Sequence, residues 1–439
     1  MASMRPKILI PAVLIFAAAC ALYSEVSVGP LNLVPSNIER GSDLQSMLRK
    51  SDYLRAMEMA AVIDSRSRPS ASDLSLLGSA YLAAGRFDDA RGRLRAALDL
   101  DPFRTTYAQI AWDLSQVEYL ANNYESSLEW AKIASDHGLN VRKWHIDYLG
   151  SLAQVQTYQF SGKGRDRLSF KFGKPEVPRV QVRVNGVKET EAIIDSGAVL
   201  SIISERLASS LPVKRLGTFE GTFFGLLGEP IQVHFGLLDQ LELGDIVIHN
   251  VPVAIMPDTK MRFLVSKSEE KEFRIDFLLG SNLLKEFRIE LDFGSHHVTF
   301  HKLTAADRHP DPEQNLFFLG FRPHVRGAIN RKGWFTFILD TGSEITFLNE
   351  AKLAQLPVQL FNTGAHSAML QGLGGAMKRG AKLEDVEIGV DRWGGKFETL
   401  PMYTSDEKEN AVGIVGQNFL KNFDVVIDFG RMRIDLNRR

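Results

Sequence analysis

Apolar residues follow two different patterns along the chain. From about residue 42 to residue 140 they recur at helical spacing, with a weak internal repeat of about 34 residues. After about Gln159 the chain changes to short runs of Val, Ile, Phe and Leu between Gly, Asn and Pro, which is typical of strands and turns. The sequence therefore predicts a multi-domain α plus β protein, with helical repeats over residues 42–158 and mainly β structure after them.

The middle helical repeat has the clearest pattern. Gly78 and Ala90 are small enough to let two antiparallel helices approach closely, Tyr81 and Phe87 are large enough to fill between them, and Pro102 ends the second helix. These offsets resemble the tetratricopeptide repeat (TPR), and this resemblance implies a surface that binds a protein or peptide. The alternative interpretation is a structural spacer.

The β-rich part contains one pattern twice, at an offset of 145 residues. The first copy covers residues 179–213 and the second covers residues 324–358. In each copy a hairpin with a polar tip leads into an apolar strand, then into Asp-Ser-Gly or Asp-Thr-Gly, a short helix and Leu-Pro-Val. The two halves of this region are therefore predicted to share one fold.

Two further segments recur in each half. Glycines three residues apart predict mobile hairpins, which we call the flaps. The flap residues are Gly225, Leu226, Leu227 and Gly228 in the first half and Gly372, Leu373, Gly374 and Gly375 in the second. The closing segments that begin at Gly280 and Gly416 are identical at eight of fifteen positions, so duplication is the simplest origin of the two halves.

This arrangement resembles the retropepsin-like aspartic peptidase family over about residues 168–436. The resemblance implies a two-lobed, mainly β pepsin/retropepsin-like fold, with lobe 1 at residues 166–302, a linker at 303–315 and lobe 2 at 316–439. It also implies that Asp195 and Asp340 are the catalytic pair. The active-site loops would be shaped by Ser196, Gly197, Thr341 and Gly342.

Two neighbouring carboxyl groups suit amide hydrolysis. The reaction needs a base that activates water and an acid that protonates the substrate, and a pair that shares one proton supplies both. The hydroxyl group after each aspartate can bond across to the opposite loop, and glycine lets the backbone lie close to the substrate. We therefore expect an aspartic endopeptidase that cleaves extended protein or peptide substrates without a metal or other cofactor.

Other candidate groups are given structural interpretations. Asp292 and Asp428 end the closing strands before Phe-Gly, where we expect them to bond to turns. His296 and His297 are adjacent, so on a strand they point to opposite faces and cannot hold one metal ion. With 52 basic and 53 acidic residues and no long run of one sign, the sequence gives no reason to expect nucleic acid as a partner.

The N-terminus has the pattern of a targeting signal. Arg5 and Lys7 precede an apolar run over residues 8–19, and three alanines lead into Cys20, the only cysteine of the chain. This predicts a signal peptide at residues 1–20. The alanines and cysteine also resemble the lipobox of bacterial lipoproteins, in which Cys20 would be lipidated and would tether the protein to a membrane. Both interpretations predict an extracytoplasmic protein, periplasmic or membrane-anchored if bacterial.

Two alternatives remain open at this point. The halves differ near the motif, since Ser343 and Glu344 stand where the first half has Ala198 and Val199. A non-catalytic peptide-binding adaptor would use the helical repeats and a protease-like groove without cleavage. A second alternative is an enzyme in which two chains pair lobe to like lobe.

Overall fold

The computed structural model describes most of the helical region and both β-rich halves. The described residues are 13–14, 18–19, 26–33, 53–65, 69–100, 106–225, 228–266, 271–358, 368–371, 377–403 and 411–439. Cys20, Pro102, Leu226, Leu227, Gly372, Leu373, Gly374 and Gly375 lie outside these ranges. The predictions made for those residues therefore stay predictions.

The helical spacing of the sequence corresponds to six described α-helices before the β-rich part. They are α1 (Tyr53–Asp64), α2 (Ala71–Ala83), α3 (Phe87–Leu100), α4 (Tyr107–Leu120), α5 (Tyr124–Asp136) and α6 (Lys143–Leu152). Helix α2 packs on α3, and α4 packs on α5. A Cβ atom on Gly78 would lie 2.4 Å from Cγ of Leu94, so this glycine permits the close helix approach that the sequence predicts. None of the described helices is long and apolar enough to cross a bilayer.

The strands fall into three groups along the chain. The N-terminal strands are β1 (Val13–Leu14), β2 (Ala18–Ala19) and β3 (Ser27–Pro30). Lobe 1 and the strand leading into it contain β4 (Gln159–Gly162), β5 (Arg165–Lys171), β6 (Arg179–Val184), β7 (Lys188–Ile194), β8 (Ser201–Ser204), β9 (Lys214–Arg215), β10 (Gly221–Gly225), β11 (Pro230–Leu243), β12 (Ile246–Met256), β13 (Arg262–Ser266), β14 (Lys271–Arg274), β15 (Phe277–Leu279), β16 (Phe287–Asp292) and β17 (His297–Lys302). Lobe 2 contains β18 (Leu316–Leu319), β19 (Arg322–Ile329), β20 (Lys332–Leu339), β21 (Phe347–Asn349), β22 (Ala368–Gln371), β23 (Met377–Gly380), β24 (Lys382–Val390), β25 (Trp393–Tyr403), β26 (Gly413–Val415), β27 (Phe423–Asp428) and β28 (Arg433–Arg438).

The two lobes repeat one arrangement of strands. In lobe 1, β15 lies parallel to β7 and antiparallel to β8. In lobe 2, β26 lies parallel to β20 and antiparallel to β21. The short helix after the motif is α7 (Glu205–Ser209) in lobe 1, whereas the matching segment of lobe 2 is a 3₁₀ helix at Glu350–Gln355. The closing segments form α8 (Ser281–Leu284) and α9 (Gln417–Leu420).

A sheet shared by both lobes holds them together. Its strands run in the order β5-β17-β16-β27-β28, and β27 of lobe 2 pairs antiparallel with β16 of lobe 1. The linker also contributes, since Asn315 bonds through its side chain to both the N–H and the carbonyl of Ile434 at 2.8 and 2.9 Å. One chain therefore brings its own two lobes together.

The helical domain packs against the lobes. The ring of Phe321, just before β19, lies 4.5 Å from the ring of Tyr119, 5.8 Å from that of His145 and 6.2 Å from that of Trp112. Both Trp112 and His145 are buried. The helical domain therefore packs on the protease-like lobes of its own chain. Part of its surface is covered, whether the repeats bind a partner or act as a spacer.

Candidate active site

The two motif aspartates occupy equivalent positions at the meeting point of the lobes. Asp195 follows β7, and its backbone N–H donates to the carbonyl of Leu279 at the end of β15. Asp340 follows β20, and its N–H donates to the carbonyl of Val415 at the end of β26. Their exposed fractions are 1 % and 0 %. The repeated strand pairing thus places both carboxylates in one buried site.

Each motif glycine makes room for the opposite aspartate. A Cβ atom on Gly197 would lie 2.5 Å from Cγ of Asp340, and a Cβ atom on Gly342 would lie 2.5 Å from Cγ of Asp195. Real Cβ atoms essentially never approach other heavy atoms so closely. The sequence suggested that these glycines bring the backbone near a substrate. The structure shows a further reason, which is that any side chain there would collide with a carboxyl group.

Hydrogen bonds between the two loops are reciprocal, as the sequence predicts. The N–H of Ser196 donates to Oγ1 of Thr341, and the N–H of Thr341 donates to Oγ of Ser196, both at 3.0 Å. Each hydroxyl also donates across to the strand that carries the other aspartate. Ser196 bonds to the carbonyl of Leu339 at 2.7 Å, and Thr341 bonds to that of Ile194 at 2.6 Å. These four bonds fix the separation of the loops.

Backbone donors orient one oxygen of each carboxyl group. Oδ1 of Asp195 accepts from the N–H of Ala198 at 3.0 Å, and Oδ1 of Asp340 accepts from the N–H of Gly342 at 2.9 Å. The Oδ2 atom of each aspartate is buried and has no backbone or hydroxyl donor among the described residues. These two Oδ2 atoms are the ones available to share a proton or to bind a small polar group.

Burial raises the pKa of both aspartates, and their interaction raises that of Asp340 further while it lowers that of Asp195. Burial raises the pKa of Asp195 to about 7, although the N–H groups of Ala198 and Gly197 and a hydrogen bond with Asp340 lower it. Burial, and after it the charge of Asp195, raises the pKa of Asp340 well above its ordinary value. Two close carboxylates resist joint ionisation, so the pair retains a proton while Asp195 carries the negative charge more readily.

Two asparagines that the sequence reasoning did not single out support the loops in both lobes. Oδ1 of Asn282 accepts from the N–H of Ser201 at 2.7 Å, and Oδ1 of Asn418 accepts from the N–H of Thr346 at 2.8 Å. The signal for both was present, because Asn is the third residue of each repeated closing segment. Asparagines at matching positions of both lobes indicate that the two residues have the same structural role.

Hydroxyl groups complete this support in the same way. Oγ of Ser201 accepts from the N–H of Gly280, and Oγ1 of Thr346 accepts from the N–H of Gly416, both at 3.1 Å. In each lobe the glycine that follows β15 or β26 is therefore hydrogen-bonded to the segment that follows the motif aspartate.

The structure also shows why the two halves of the site are not equivalent. Glu344 accepts from the N–H of Glu176 in lobe 1 at 2.7 Å, and burial raises its pKa to about 7. Arg322 is buried, and its charge lowers the pKa of Asp340, against the larger effect of burial. Neither role could be read from the sequence, because it depends on which residues of the other lobe or of a neighbouring strand lie nearby.

Gly225 and Gly228, the two described residues of the first flap, are joined by a hydrogen bond. The N–H of Gly228 donates to the carbonyl of Gly225 at 2.9 Å, and Gly228 has a φ of +85°, which favours glycine. The strand β10 that enters this flap pairs with β1, and β22 at the second flap pairs with β2. Backbone of the N-terminal region therefore reaches both flap strands.

The carboxylates at the ends of the closing strands bond to turns, as expected. Asp292 accepts from the N–H and the hydroxyl of Ser295 at 2.7 and 2.5 Å. Asp428 accepts from the N–H groups of Gly430 and Arg431 at 2.9 and 3.0 Å. They are structural groups. No cluster of three or more metal-binding side chains occurs within the described ranges.

Comparison with known families identifies both lobes separately. Residues 180–283 match the family model of the aspartyl proteases, and residues 321–428 match that of the retroviral aspartyl proteases. These ranges contain Asp195 and Asp340 respectively. No curated protein matches the chain.

Several solved structures are similar to parts of the chain. A retropepsin-like aspartic protease from Rickettsia conorii has 16 % identity, covers 33 % of this chain and 96 % of its own, and gives a TM-score of 0.23. The aspartic proteinase from Irpex lacteus has 12 % identity, with 62 % and 97 % covered and a TM-score of 0.36. Soybean basic 7S globulin has 11 % identity, with 62 % and 96 % covered and a TM-score of 0.34.

The two family matches fall on the two copies of one strand arrangement, and each copy delivers its motif aspartate to the same buried site. The lobes are therefore tandem aspartyl protease domains, and the chain is an aspartic-type endopeptidase.

Proposed function

We propose that Asp195 and Asp340 form one catalytic dyad that cleaves peptide bonds of extended protein or peptide substrates. The observation that carries this proposal is that each aspartate occupies the position that a side chain on the motif glycine of the opposite loop would need. Only two lobes in register can satisfy both contacts. The reciprocal bonds of Ser196 and Thr341 support the same arrangement.

The charge of Asp195 raises the pKa of Asp340, whereas the hydrogen bond with Asp340 lowers that of Asp195, and this asymmetry supports different roles for the two. Asp195 has the lower pKa of the pair, so it would carry the charge and accept a proton from the attacking water. Asp340 would keep the shared proton and donate it to the oxygen of the scissile carbonyl. The resulting tetrahedral intermediate would collapse when the leaving nitrogen is protonated, and no covalent bond to the enzyme would form.

Substrate would lie extended in the groove between the lobes and below the flaps. A strand-like substrate can pair through its backbone with flap strands, and this mode of binding gives affinity with little dependence on sequence. We also propose, from the N-terminal sequence, that the enzyme acts outside the cytoplasm. Binding of a partner or substrate by the helical repeats is a further part of the proposal and rests on the TPR resemblance.

The test uses Asp195→Asn and Asp340→Asn, each assayed against a mixed peptide library by mass spectrometry. Both substitutions preserve the size of the side chain and remove the carboxylate, so each should abolish cleavage while the thermal unfolding transition remains cooperative. Asp292→Asn is the matched control, since Asp292 ends β16 and its carboxylate bonds to Ser295 in the turn that follows. Full activity in either dyad variant would refute the dyad. Peptide binding without cleavage by the unmodified protein would favour the adaptor.

A further inference from the structure

The last helix of the helical domain contacts the first flap hairpin. This hairpin consists of β10 and residues 230–233 at the start of β11, which pair antiparallel, and Phe235 lies two residues further along β11. The indole ring of Trp144, in the first turn of α6, stacks on the ring of Phe235 at 5.8 Å and 17°. It also lies 6.0 Å from the ring of Phe223. A side chain of the helical domain is thus packed on both strands of the hairpin.

Neighbouring residues extend this contact. The ring of Tyr148, one turn further along α6, lies 4.8 Å from that of Phe235. The guanidinium group of Arg142, at the start of the helix, lies 5.3 Å from the centre of the Phe224 ring. Phe223 and Phe235 are each only 1 % exposed, so the contact is a buried aromatic cluster.

The flap strand is shaped to receive the indole ring. A Cβ atom on Gly221 would lie 2.6 Å from Cζ of Phe235 and 3.3 Å from Cε3 of Trp144. Any larger residue at the first position of β10 would displace the aromatic cluster. The absence of a side chain at Gly221 therefore leaves room first for Phe235 of the same lobe and then for the indole ring of Trp144.

A second contact joins the helical domain to the catalytic half of lobe 1. Tyr158, in the connection after α6, accepts a hydrogen bond through its hydroxyl from the side-chain amide of Asn282 at 2.7 Å. Asn282 is the residue that holds the N–H of Ser201. The end of the helical domain therefore touches lobe 1 both at the flap and at the support of the active-site loop.

We propose that the helical domain positions the first flap over the substrate groove, and that Trp144 is the positioning residue. A two-stranded hairpin is only marginally stable by itself, so its orientation depends on what its base is packed against. Here α6 packs against that base, in addition to β1, which pairs with β10, and β12, which pairs with the rest of β11. The inference rests on the proposed function, because the position of the flap affects the reaction only if substrate binds below it.

The test compares Trp144→Ala with Trp144→Phe, and Trp334→Ala is the control. Trp334 packs on Arg326 in lobe 2, where the distance from the guanidinium carbon to the ring centre is 4.1 Å. Hydrogen exchange of residues 221–225 and 231–235 should become at least about tenfold faster in Trp144→Ala, be largely restored in Trp144→Phe, and be unchanged in the control. KM should rise by about tenfold in Trp144→Ala, while kcat and the pH profile change little.

Unchanged exchange and unchanged KM in Trp144→Ala would overturn the inference. If that variant does not fold, Arg142→Ala takes its place, because Arg142 makes no side-chain capping bond to the helix and contacts only the edge of the cluster. Faster exchange confined to β10 would support the inference, and unchanged exchange would overturn it. Hydrogen exchange requires no turnover, so this outcome is independent of whether Asp195→Asn abolishes cleavage.

Discussion

Gly197 and Asp340 share one space in the active site, since a Cβ atom on the glycine would lie 2.5 Å from Cγ of the aspartate. The same relationship joins Gly342 to Asp195. The Asp-Ser/Thr-Gly motif is thereby explained as a unit of two interlocking loops. In the proposed mechanism the aspartate supplies the reactive group; in the structure the hydroxyl group bonds the loops together, and the glycine leaves the space that the opposite carboxyl group occupies.

The first prediction concerns Gly197→Ala. The added methyl group must displace Asp340 or separate the loops, and because a misplacement of about 1 Å can cost about 100-fold, we expect kcat/KM to fall by about 100-fold or more. Gly92→Ala is the matched control. Gly92 lies in α3 with no heavy atom near its missing Cβ, so alanine there should leave activity unchanged and stabilise the protein by about 0.5–1 kcal/mol. Wild-type kinetics in Gly197→Ala would contradict the interlocking of the loops.

The second prediction concerns the bonds between the loops. Thr341→Val keeps the shape of the side chain but leaves the N–H of Ser196 and the carbonyl of Ile194 without their partner, which should cost about 1–3 kcal/mol in the free energy of unfolding. Activity should fall together with stability. Thr341→Ser retains the hydroxyl group and should recover most of both. Chemical denaturation and steady-state kinetics of the three proteins measure this, and equal losses in the Val and Ser variants would argue against the hydrogen bonds.

The third prediction is the pH dependence of activity. The active form of the proposed dyad would hold one proton, and burial raises the pKa of Asp195 to about 7 and that of Asp340 well above its ordinary range. Activity should therefore increase as the pH rises from 4 towards neutrality, with an acid limb whose apparent pKa lies well above the ordinary 3.8 of an aspartate. The kcat/KM profile tests this, with Asp292→Asn expected to give the same profile. A maximum in strong acid, at about pH 2–3, would show a much less desolvated pair.

The fourth prediction concerns the ionisation of Glu344, which is followed through the free energy of unfolding rather than through activity. Burial raises the pKa of Glu344 in the folded protein to about 7, above the ordinary 4.5 expected in the unfolded chain. The protonated form therefore favours folding. This contribution is fully present below pH 4.5 and is lost as the pH rises through about 7.

Glu344→Gln keeps an oxygen to accept the N–H of Glu176 and removes the charge. At pH 8 the variant should be more stable than the wild type by up to about 3 kcal/mol, and the difference should vanish near pH 4.5. Denaturant unfolding of the two proteins at a series of pH values measures it. A difference that does not change with pH would show that Glu344 ionises normally in the folded protein.

The sequence predicts the elements whose signals are periodic or repeated. Helical spacing predicts the helices that contain Gly78 and Ala90, and the 145-residue repeat predicts the strands that deliver Asp195 and Asp340. These features are local, since each depends on residues close together in the chain. The repeat also encodes the equivalence of the two active-site loops, because two copies of one sequence adopt one strand arrangement.

Contacts between domains could not be predicted in this way. The packing of Trp144 on Phe235, and of Phe321 among the rings of Trp112 and Tyr119, joins residues distant in sequence whose local patterns show only that each is apolar. The burial of Glu344 depends on the neighbouring loop of lobe 1. The sequence alone does not show whether a glutamate will be exposed or buried. The raised pKa of Glu344 can therefore be seen only once the two lobes are assembled.

The central claim is that one chain supplies both members of the dyad. The most direct measurement is the cleavage activity of Asp195→Asn, Asp340→Asn and their equimolar mixture, assayed beside wild-type protein over a range of concentrations. The pairing of β16 with β27 within one chain predicts that both variants and the mixture are inactive, and that wild-type activity per molecule does not depend on concentration. Activity in either variant would indicate like-lobe pairing between chains, and activity restored in the mixture would indicate dyads formed by two chains.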